Sequence, residues 1–506
     1  MKEVVNEEDD SEKIMQNRLS MLLKRHEKLL VAVLMVIAFT RIFVFSAAFP
    51  FFNNVDERGH FDTVVKYARG FMPCIDCDYY DKETALIVAS LATPEYFSTQ
   101  KIYERTPFNP NVYGYVMAKK NHEAFSPPLY YSIAGLWYNL GKAVGLKSET
   151  QIYFVKFLNI PAYIVLMLFS YLTCKKAEPK NLCISMGVLL LLAFFPNDIF
   201  YSVNSDIFSP VFFAVGLFII LEIFDNNKPI WIYALGGLMA SGMILSKLSN
   251  LPIILLFGIV VFLLIFKRKE NSKIYSNTHL GIMCLAFIVP VAIWMGINRY
   301  YLGDFTGTSQ KILHLGFKPK QLSELFNHPI FSFQGMTDFM SQLVVTFWRG
   351  EFVWRGQVLT TNFADKFYMT ATMIFFMYGV FVIVKNYYSE NSRYNSFYVM
   401  CILAIVAYII YLVFLSIIYN YDNAIVPSND FPYFAAGRLI SATMVPFFMV
   451  FIKGVEGIAL RLGKYVDPLI IVLLLVSYIT YSEIQTTISA GVFSSPYNYF
   501  SFAISQ

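Results

Sequence analysis

The chain contains eleven stretches of about twenty residues that are almost free of charge, each matching the ~30 Å hydrocarbon core of a bilayer. They lie near residues 29–50, 152–173, 182–201, 205–224, 229–246, 250–266, 279–300, 367–385, 396–419, 436–453 and 466–485. Only helices and closed barrels satisfy their backbone hydrogen bonds inside lipid. Runs of this length predict helices, so the expected fold is an all-α polytopic membrane protein with about eleven transmembrane helices. Charged residues make up 15% of the chain, against about 25% in a soluble domain, which agrees with that class. The first run follows an acidic, polar stretch and has no small-residue cleavage site, so it reads as a retained span.

Clusters of Lys and Arg orient the spans, because such residues concentrate in short cytoplasmic loops. Lys24, Arg25 and Lys28 precede the first run; Lys175, Lys176 and Lys180 follow the second. Lys267, Arg268, Lys269 and Lys273 follow the sixth, Lys385 and Arg393 the eighth, and Lys453, Arg461 and Lys464 the tenth. The net charge of +5 is accounted for by these clusters, so it does not indicate a nucleic-acid surface. The expected layout is a cytoplasmic tail at 1–28, with 1–20 disordered, one transmembrane domain at 29–485, and an extracytoplasmic tail at 486–506. Within that domain, 51–151 forms a first outer loop and 301–366 a second long outer segment. Residues 126–145 are apolar enough to cross. Counting them would move Lys175 and Lys176 outside, so they are expected to lie as a helix in the outer interface. Pro127 and Pro128 suit its start, and Tyr130, Tyr131, Trp137 and Tyr138 suit the headgroup belt. The alternative is a twelfth span.

The densest polar cluster beside a span is Asn53-Asn54-Val55-Asp56-Glu57-Arg58-Gly59-His60-Phe61-Asp62. Two carboxylates one helical turn from an imidazole can supply a general base or metal ligands. They can equally mark a solvated helix start, with Asp56 as its cap. Asp198, Asn204, Asp206, Lys247, Arg299, Arg349, Arg355 and Arg438 stand at other outer span ends. Cations there run against the positive-inside bias and suit an anion such as phosphate, or snorkel to headgroups. Cys74 and Cys77 allow a local disulfide if the loop is extracytoplasmic, and the other four cysteines read as inert apolar residues. No phosphate loop, dinucleotide fingerprint or His-Glu-x-x-His helix is present, so neither nucleotide nor nucleic acid is an expected partner.

Asp56-Glu57-x-x-His60-Phe61, Pro127-Pro128-Leu129-Tyr130-Tyr131, Asn204-x-Asp206, Phe347-Trp348 with Trp354, and Gly437-Arg438 before Pro446 follow one another on the predicted outer side. In that order they resemble the GT-C class of membrane glycosyltransferases. That class includes protein mannosyltransferases, lipid A aminoarabinose transferase and oligosaccharyltransferase catalytic subunits. The nearest likeness is to a poorly characterised bacterial branch. The resemblance implies a plasma-membrane enzyme that moves a sugar, with inversion, from a polyprenyl-phosphate donor to a glycan, lipid or protein acceptor at the cell surface. It implies Asp56 as general base, with Glu57 as fallback, and a divalent cation (Mg or Mn), where one is used, at Asp56 and Asp206. Lys247, Arg299, Arg438 and His60 are the candidates for the donor phosphate. Trp348, Arg349, Trp354 and Tyr130 are the candidates for sugar or acceptor contacts. The rival expectation is a transporter or flippase for a lipid-linked saccharide, which usually shows inverted repeats and mid-membrane charges.

Overall fold

The computed structural model describes residues 24–91, 108–225, 228–270, 277–354, 357–389, 393–422, 424, 427–463 and 466–504. The expected tail at 1–20 and Arg355, Lys273 and Lys464 lie outside them. Among the described residues, nine helices are long and apolar enough to cross a membrane, and two shorter apolar helices, Leu182–Ala193 and Ile230–Ser246, fall at the remaining expected positions. Together they match the eleven runs, and the protein is a multi-pass, all-helical membrane protein. In chain order the first two spans are Glu27–Ala48 and Glu149–Ala177, the third is Leu182–Ala193, and the fourth is Ser205–Phe224. Next come Ile230–Ser246, Leu248–Ile265, Asn277–Leu302, Asn362–Tyr388, Asn395–Ile417, Gly437–Leu462 and Pro468–Ser489.

The tenth span is 72% buried and the seventh 17%, so the tenth runs through the centre and the seventh along the lipid side. Val36, Leu255, Ile293 and Leu474 are exposed on outer spans, as bilayer contact requires. The eighth and tenth spans touch backbone to backbone. A Cβ at Gly454 would strike the Phe375 carbonyl, and one at Gly379 the Val450 carbonyl. Small residues allow this approach where no hydrophobic effect drives helices together.

Ion pairs close one end of the bundle. Lys175 meets Glu27 at 3.0 Å and Lys453 meets Glu178 at 2.7 Å, joining the ends of the first, second and tenth spans. Three of the five basic clusters therefore sit together. Arg41 and Glu483 pair near the opposite end at 2.6 Å, with Tyr201 donating to Glu483 at 2.8 Å.

The long first loop folds against that opposite end. Its helices include Glu57–Ala68, Lys82–Leu91, Pro110–Met117 and Leu129–Ala143. The last has 15 residues, about 22 Å at 1.5 Å per residue. Its Leu136, Leu140 and neighbouring Val144 are exposed and its opposite face is packed, as an interfacial helix requires. Tyr130, Tyr131 and Tyr138 are buried rather than turned to headgroups. The reason is that they lie on the face that packs against Glu57–Ala68, where Gly135 approaches the Tyr67–Ala68 backbone. Cys74 and Cys77 form a disulfide in this loop. Two minimal antiparallel pairs complete the structure: Lys318–Pro319 opposite Tyr419–Asn420, and Val353–Trp354 opposite Gln357–Val358. The first ties the second long segment to the loop before the tenth span.

Candidate active site

Asp56 closes the turn between the first span and the helix Glu57–Ala68. Its φ of 61° is left-handed, a region that Asp and Asn tolerate better than most residues. It occupies the cap position, yet its side chain makes no capping bond. The carboxylate is therefore free to turn outward, and it meets Arg438 Nη2 at 2.9 Å and His122 Nε2 at 3.8 Å. Burial raises its pKa, but Arg438 and His122 outweigh burial and hold it at about 2.

Glu57 turns the other way. It is 2% exposed and pairs with Lys156, itself 1% exposed, at 3.2 Å. Its two oxygens also accept from Phe52 N at 2.8 Å and Val203 N at 3.1 Å. Lys156 donates as well to the Phe49 carbonyl at 3.1 Å. Glu57 fixes the turn that carries Asp56.

Arg438 is the hub. It lies in the 3-10 turn Gly437–Thr443 at the head of the tenth span. That turn docks on Phe333–Arg349: Gly437 N donates to Thr346 Oγ1 at 2.7 Å, and a Cβ on Gly437 would strike the Phe347 backbone. The guanidinium faces three carboxylates, Asp56 at 2.9 Å, Glu351 at 3.0 Å and Asp206 at 3.7 Å. Asp206 starts the fourth span in a 3-10 turn capped by Asn204. It also pairs with Lys247, which sits in extended backbone between the fifth and sixth spans. Asp198 accepts from Glu351 N at 2.9 Å. Burial, and then the nearby Glu351 charge, push its carboxyl up to about 7.

His60 lies on the first turn of its helix and is 1% exposed. Nδ1 is 2.7 Å from the Tyr131 hydroxyl, which donates to Glu123 at 3.1 Å. That chain makes Nδ1 the protonated nitrogen. Nε2 is then a buried acceptor, and it has no hydrogen-bond partner among the described residues. Burial outweighs the Glu123 charge and lowers the pKa of His60 to about 4, so the ring is neutral at pH 7.

His122 and Glu123 had no sequence signal. They stand in a short 3-10 turn whose cap, Asn121, also donates to Gly59 O at 2.9 Å and Asp62 at 2.8 Å. Glu123 binds Lys311 at 2.8 Å and His122 at 3.1 Å. Burial raises its carboxyl, but Lys311 and His60 hold it well below the usual range. Asp56, His122 and Glu123 bring one ligand atom each within 4.8 Å of one another. Two carboxylates and an imidazole suit Zn or Mn. Arg438 and Lys311 are the cations that an ion there would displace. Asp206 is not in this group; it pairs with Lys247 and Arg438 instead.

A cavity of about 300 Å³ opens beside Asp56, with Arg58, Lys119, His122 and His314 in its wall. Arg438, Lys247 and Asp206 do not line it; they stand on the span-end side.

The remaining expected contacts lie elsewhere. Arg299 is exposed, donates to the Gly303 carbonyl and covers Phe305 at 5.6 Å, because its helix is the most lipid-exposed span. Trp348 is core: its Nε1 donates to Thr372 at 2.9 Å and its ring stacks on Tyr368. Trp354 is buried and donates to Ala490 O at 2.9 Å. Arg349 pairs with Asp365 at 2.8 Å and lines a separate cavity of about 40 Å³ with Asp198 and Glu483. Tyr130 is buried edge-on against Tyr131 and Phe208.

The family described as "Predicted membrane protein (DUF2142)" matches residues 39–426. No curated protein matches the sequence. Among solved structures, the chain is similar to the Archaeoglobus fulgidus oligosaccharyltransferase AglB in complex with an inhibitory peptide and a dolichol-phosphate. The identity is 10%, the TM-score 0.47, and the alignment covers 91% of this chain and 56% of that one. The same enzyme tethered to an acceptor peptide gives 9% identity, a TM-score of 0.45, and coverage of 94% and 56%. The chain thus spans little more than half of those proteins. ArnT from Cupriavidus metallidurans bound to undecaprenyl phosphate gives 12% identity, a TM-score of 0.45, and coverage of 93% and 74%.

Proposed function

This chain belongs to the DUF2142 family of predicted membrane proteins, and from that premise we propose that it is a membrane glycosyltransferase that uses a polyprenyl-phosphate sugar. The observation that carries the reading is the placement of Asp56. Its carboxylate stands between a cavity on one side and Arg438, Asp206 and Lys247 at the span ends on the other. A lipid-borne phosphate arrives at span ends, and a soluble or surface acceptor arrives from water.

The residues divide the work. The acceptor hydroxyl enters the cavity and its proton goes to Asp56 as its oxygen attacks the anomeric carbon. The bond from that carbon to the phosphate oxygen breaks, and the polyprenyl phosphate leaves as an anion. Arg438 stabilises the leaving charge, aided by Lys247. In the present arrangement Arg438 is held by three carboxylates, which makes Asp56 a weak base. A phosphate that takes over guanidinium N–H groups releases Asp56, and its pKa rises toward the range in which it accepts a proton. His60 is neutral and presents a lone pair at Nε2, so it suits a sugar hydroxyl rather than a phosphate. Asp56, His122 and Glu123 would hold a divalent cation, which would supply positive charge near the donor phosphate.

The bundle end that carries this site is the extracytoplasmic one in this reading, with the N-terminus cytoplasmic, as the basic clusters at the other end favour. The test is incubation of the purified chain, in lipid nanodiscs, with a panel of polyprenyl-phosphate sugars, scored for sugar release or transfer. Turnover by wild type and none by Asp56→Asn supports the assignment. No turnover with any donor, together with saccharide flux in liposomes, favours a transporter instead.

A further inference from the structure

The segment between the seventh and eighth spans presents an apolar face that the proposed reaction does not use. Leu322, Phe326 and Phe333 are 83%, 78% and 90% exposed, and Phe331 is exposed as well. The Phe326 and Phe331 rings lie 5.9 Å apart and share one patch. Apolar patches outside the spans mark a contact with membrane or protein.

The local fold holds these side chains outward. His328 is buried, and its Nδ1 accepts from Ile330 N at 3.1 Å. Nε2 is therefore the protonated nitrogen, and it donates to the Pro432 carbonyl at 3.0 Å. Ile330 is buried next to it in the chain. Ser332 Oγ accepts from Gly335 N at 3.0 Å and starts the helix Phe333–Arg349. With 328 and 330 pinned inward, 326, 331 and 333 are left on the outer side.

Two connections set the depth of this face. The segment leaves the seventh span past Tyr300 and Tyr301, which are both exposed and suit a headgroup belt. Lys318 then pairs with Asn420 and Pro319 with Tyr419, directly beyond the end of the ninth span at Ile417. Ile410 and Phe414, near that end of the ninth span, are exposed and so face lipid. The apolar face begins where the lipid-facing surface of the ninth span stops. Composition agrees. Residues 321–337 carry one charged side chain, Glu324, between Lys318 and Lys320 on one side and Asp338 on the other. A solvated stretch of that length carries about four.

We propose that Leu322–Phe333 is a membrane anchor, lying in the plane of the leaflet at the end of the bundle that carries Arg438. Leu322, Phe326, Phe331 and Phe333 enter the acyl region, and Lys318 and Lys320 stay among the headgroups. The partner is the bilayer rather than a second protein, because the face continues the lipid-facing surface of the ninth span. The anchor bears on the site. The helix Phe333–Arg349 starts in it, and Thr346 of that helix accepts from Gly437 N beside Arg438. The leaflet thereby steadies the support on which Arg438 stands.

The test uses the full chain in phosphatidylcholine nanodiscs, with Cys284→Ala removing the half-buried free cysteine; the other free cysteines are buried. The fluorophore NBD is attached at Phe326→Cys, and phosphatidylcholine with a nitroxide on its acyl chain is the quencher. Leu255→Cys, exposed on the sixth span, and Asn111→Cys, exposed in the first loop, are the references. Quenching at 326 should approach that at 255 and exceed that at 111 by roughly threefold or more, as burial ~5–10 Å into the interface requires. Leu322→Cys repeats the reading, so a Phe326 variant that fails to fold leaves the test intact. Quenching at 322 and 326 no greater than at 111 overturns the proposal. So does a blue-shifted probe that the lipid nitroxide does not quench, since the face would then be covered by protein, such as a second copy of the chain. Donor turnover is scored separately. Turnover with an unquenched probe removes this inference alone. Quenching without turnover of any donor keeps the anchor and removes the glycosyltransferase reading.

Discussion

Arg438 and Asp56 are 382 residues apart in the chain and 2.9 Å apart in the folded protein. The contact joins the head of the tenth span to the turn after the first. It holds the proposed base in its charged form and occupies the guanidinium proposed to bind the phosphate. Binding of donor and activation of the base are therefore one event in the proposed mechanism.

Asp56→Asn should lower sugar transfer about a hundredfold to ten-thousandfold, the range expected when a general base is lost. Asn tolerates the left-handed backbone of this position, so the folded protein should persist. Size-exclusion profile and thermal unfolding check the fold, and the donor panel checks the loss. Transfer at the wild-type rate removes Asp56 as base.

Glu57 and Lys156 should behave as a buried pair. Glu57→Gln or Lys156→Met alone leaves an uncompensated buried group and should cost roughly 3–5 kcal/mol. The double variant should cost clearly less than the sum of the two. Denaturant unfolding in detergent measures all three. Additive losses would show that the two residues act independently.

Stability between pH 7 and pH 4 should reflect two opposed groups. His60 has a folded pKa of about 4 against its ordinary 6.5, so the unfolded chain binds a proton that the folded chain refuses. Its contribution is lost as pH falls from 6.5 to 4. Asp198 has a folded pKa of about 7 against 3.8, so the folded chain binds the extra proton. Its contribution grows as pH falls through the same window. Asp198→Asn should therefore make the protein lose stability on acidification more steeply than wild type, and His60→Gln should reverse that slope. Unfolding midpoints at pH 7, 6, 5 and 4.5 test the pair. Identical slopes in both variants would contradict it.

Metal affinity should follow His122 and Glu123 rather than Asp206. Titration of the purified chain with Mn²⁺ or Zn²⁺ should show a site that His122→Ala weakens at least tenfold and Asp206→Asn leaves in place. If transfer needs an ion, chelation should abolish it and Mn²⁺ should restore it. Loss of binding in Asp206→Asn with no effect of His122→Ala would place the ion on the other side of Arg438.

Gly454→Leu should disrupt the bundle more than Gly258→Leu. A Cβ at Gly454 meets backbone of the eighth span, whereas one at Gly258 meets nothing within 4 Å. Yield of monodisperse protein from membranes and its unfolding temperature give the comparison.

The sequence by itself determined the membrane architecture, and it did so for a local reason. Twenty apolar residues in a row exclude water wherever they sit, and a Lys cluster beside them carries its charge whatever it touches. The eleven helices and the shared end of the Lys175 and Lys453 clusters were legible on those grounds. Asp56, Asp206, Lys247 and Arg438 were legible too, because a charge beside an apolar run stands out from its neighbours. Tertiary structure decided what each one does. Glu57 is adjacent to Asp56 in the chain, but a left-handed turn at Asp56 sends the two side chains to opposite sides, one to Arg438 and one to Lys156. His122, Glu123 and Lys311 looked like ordinary loop residues until packing brought them to the site. Trp348, Trp354 and Arg299 looked like site residues, yet packing sent the tryptophans into the core and Arg299 to the outside. Charge and apolarity belong to single residues and can be read along the chain. Ion pairing and burial depend on partners hundreds of residues away, which only the packed helices bring together.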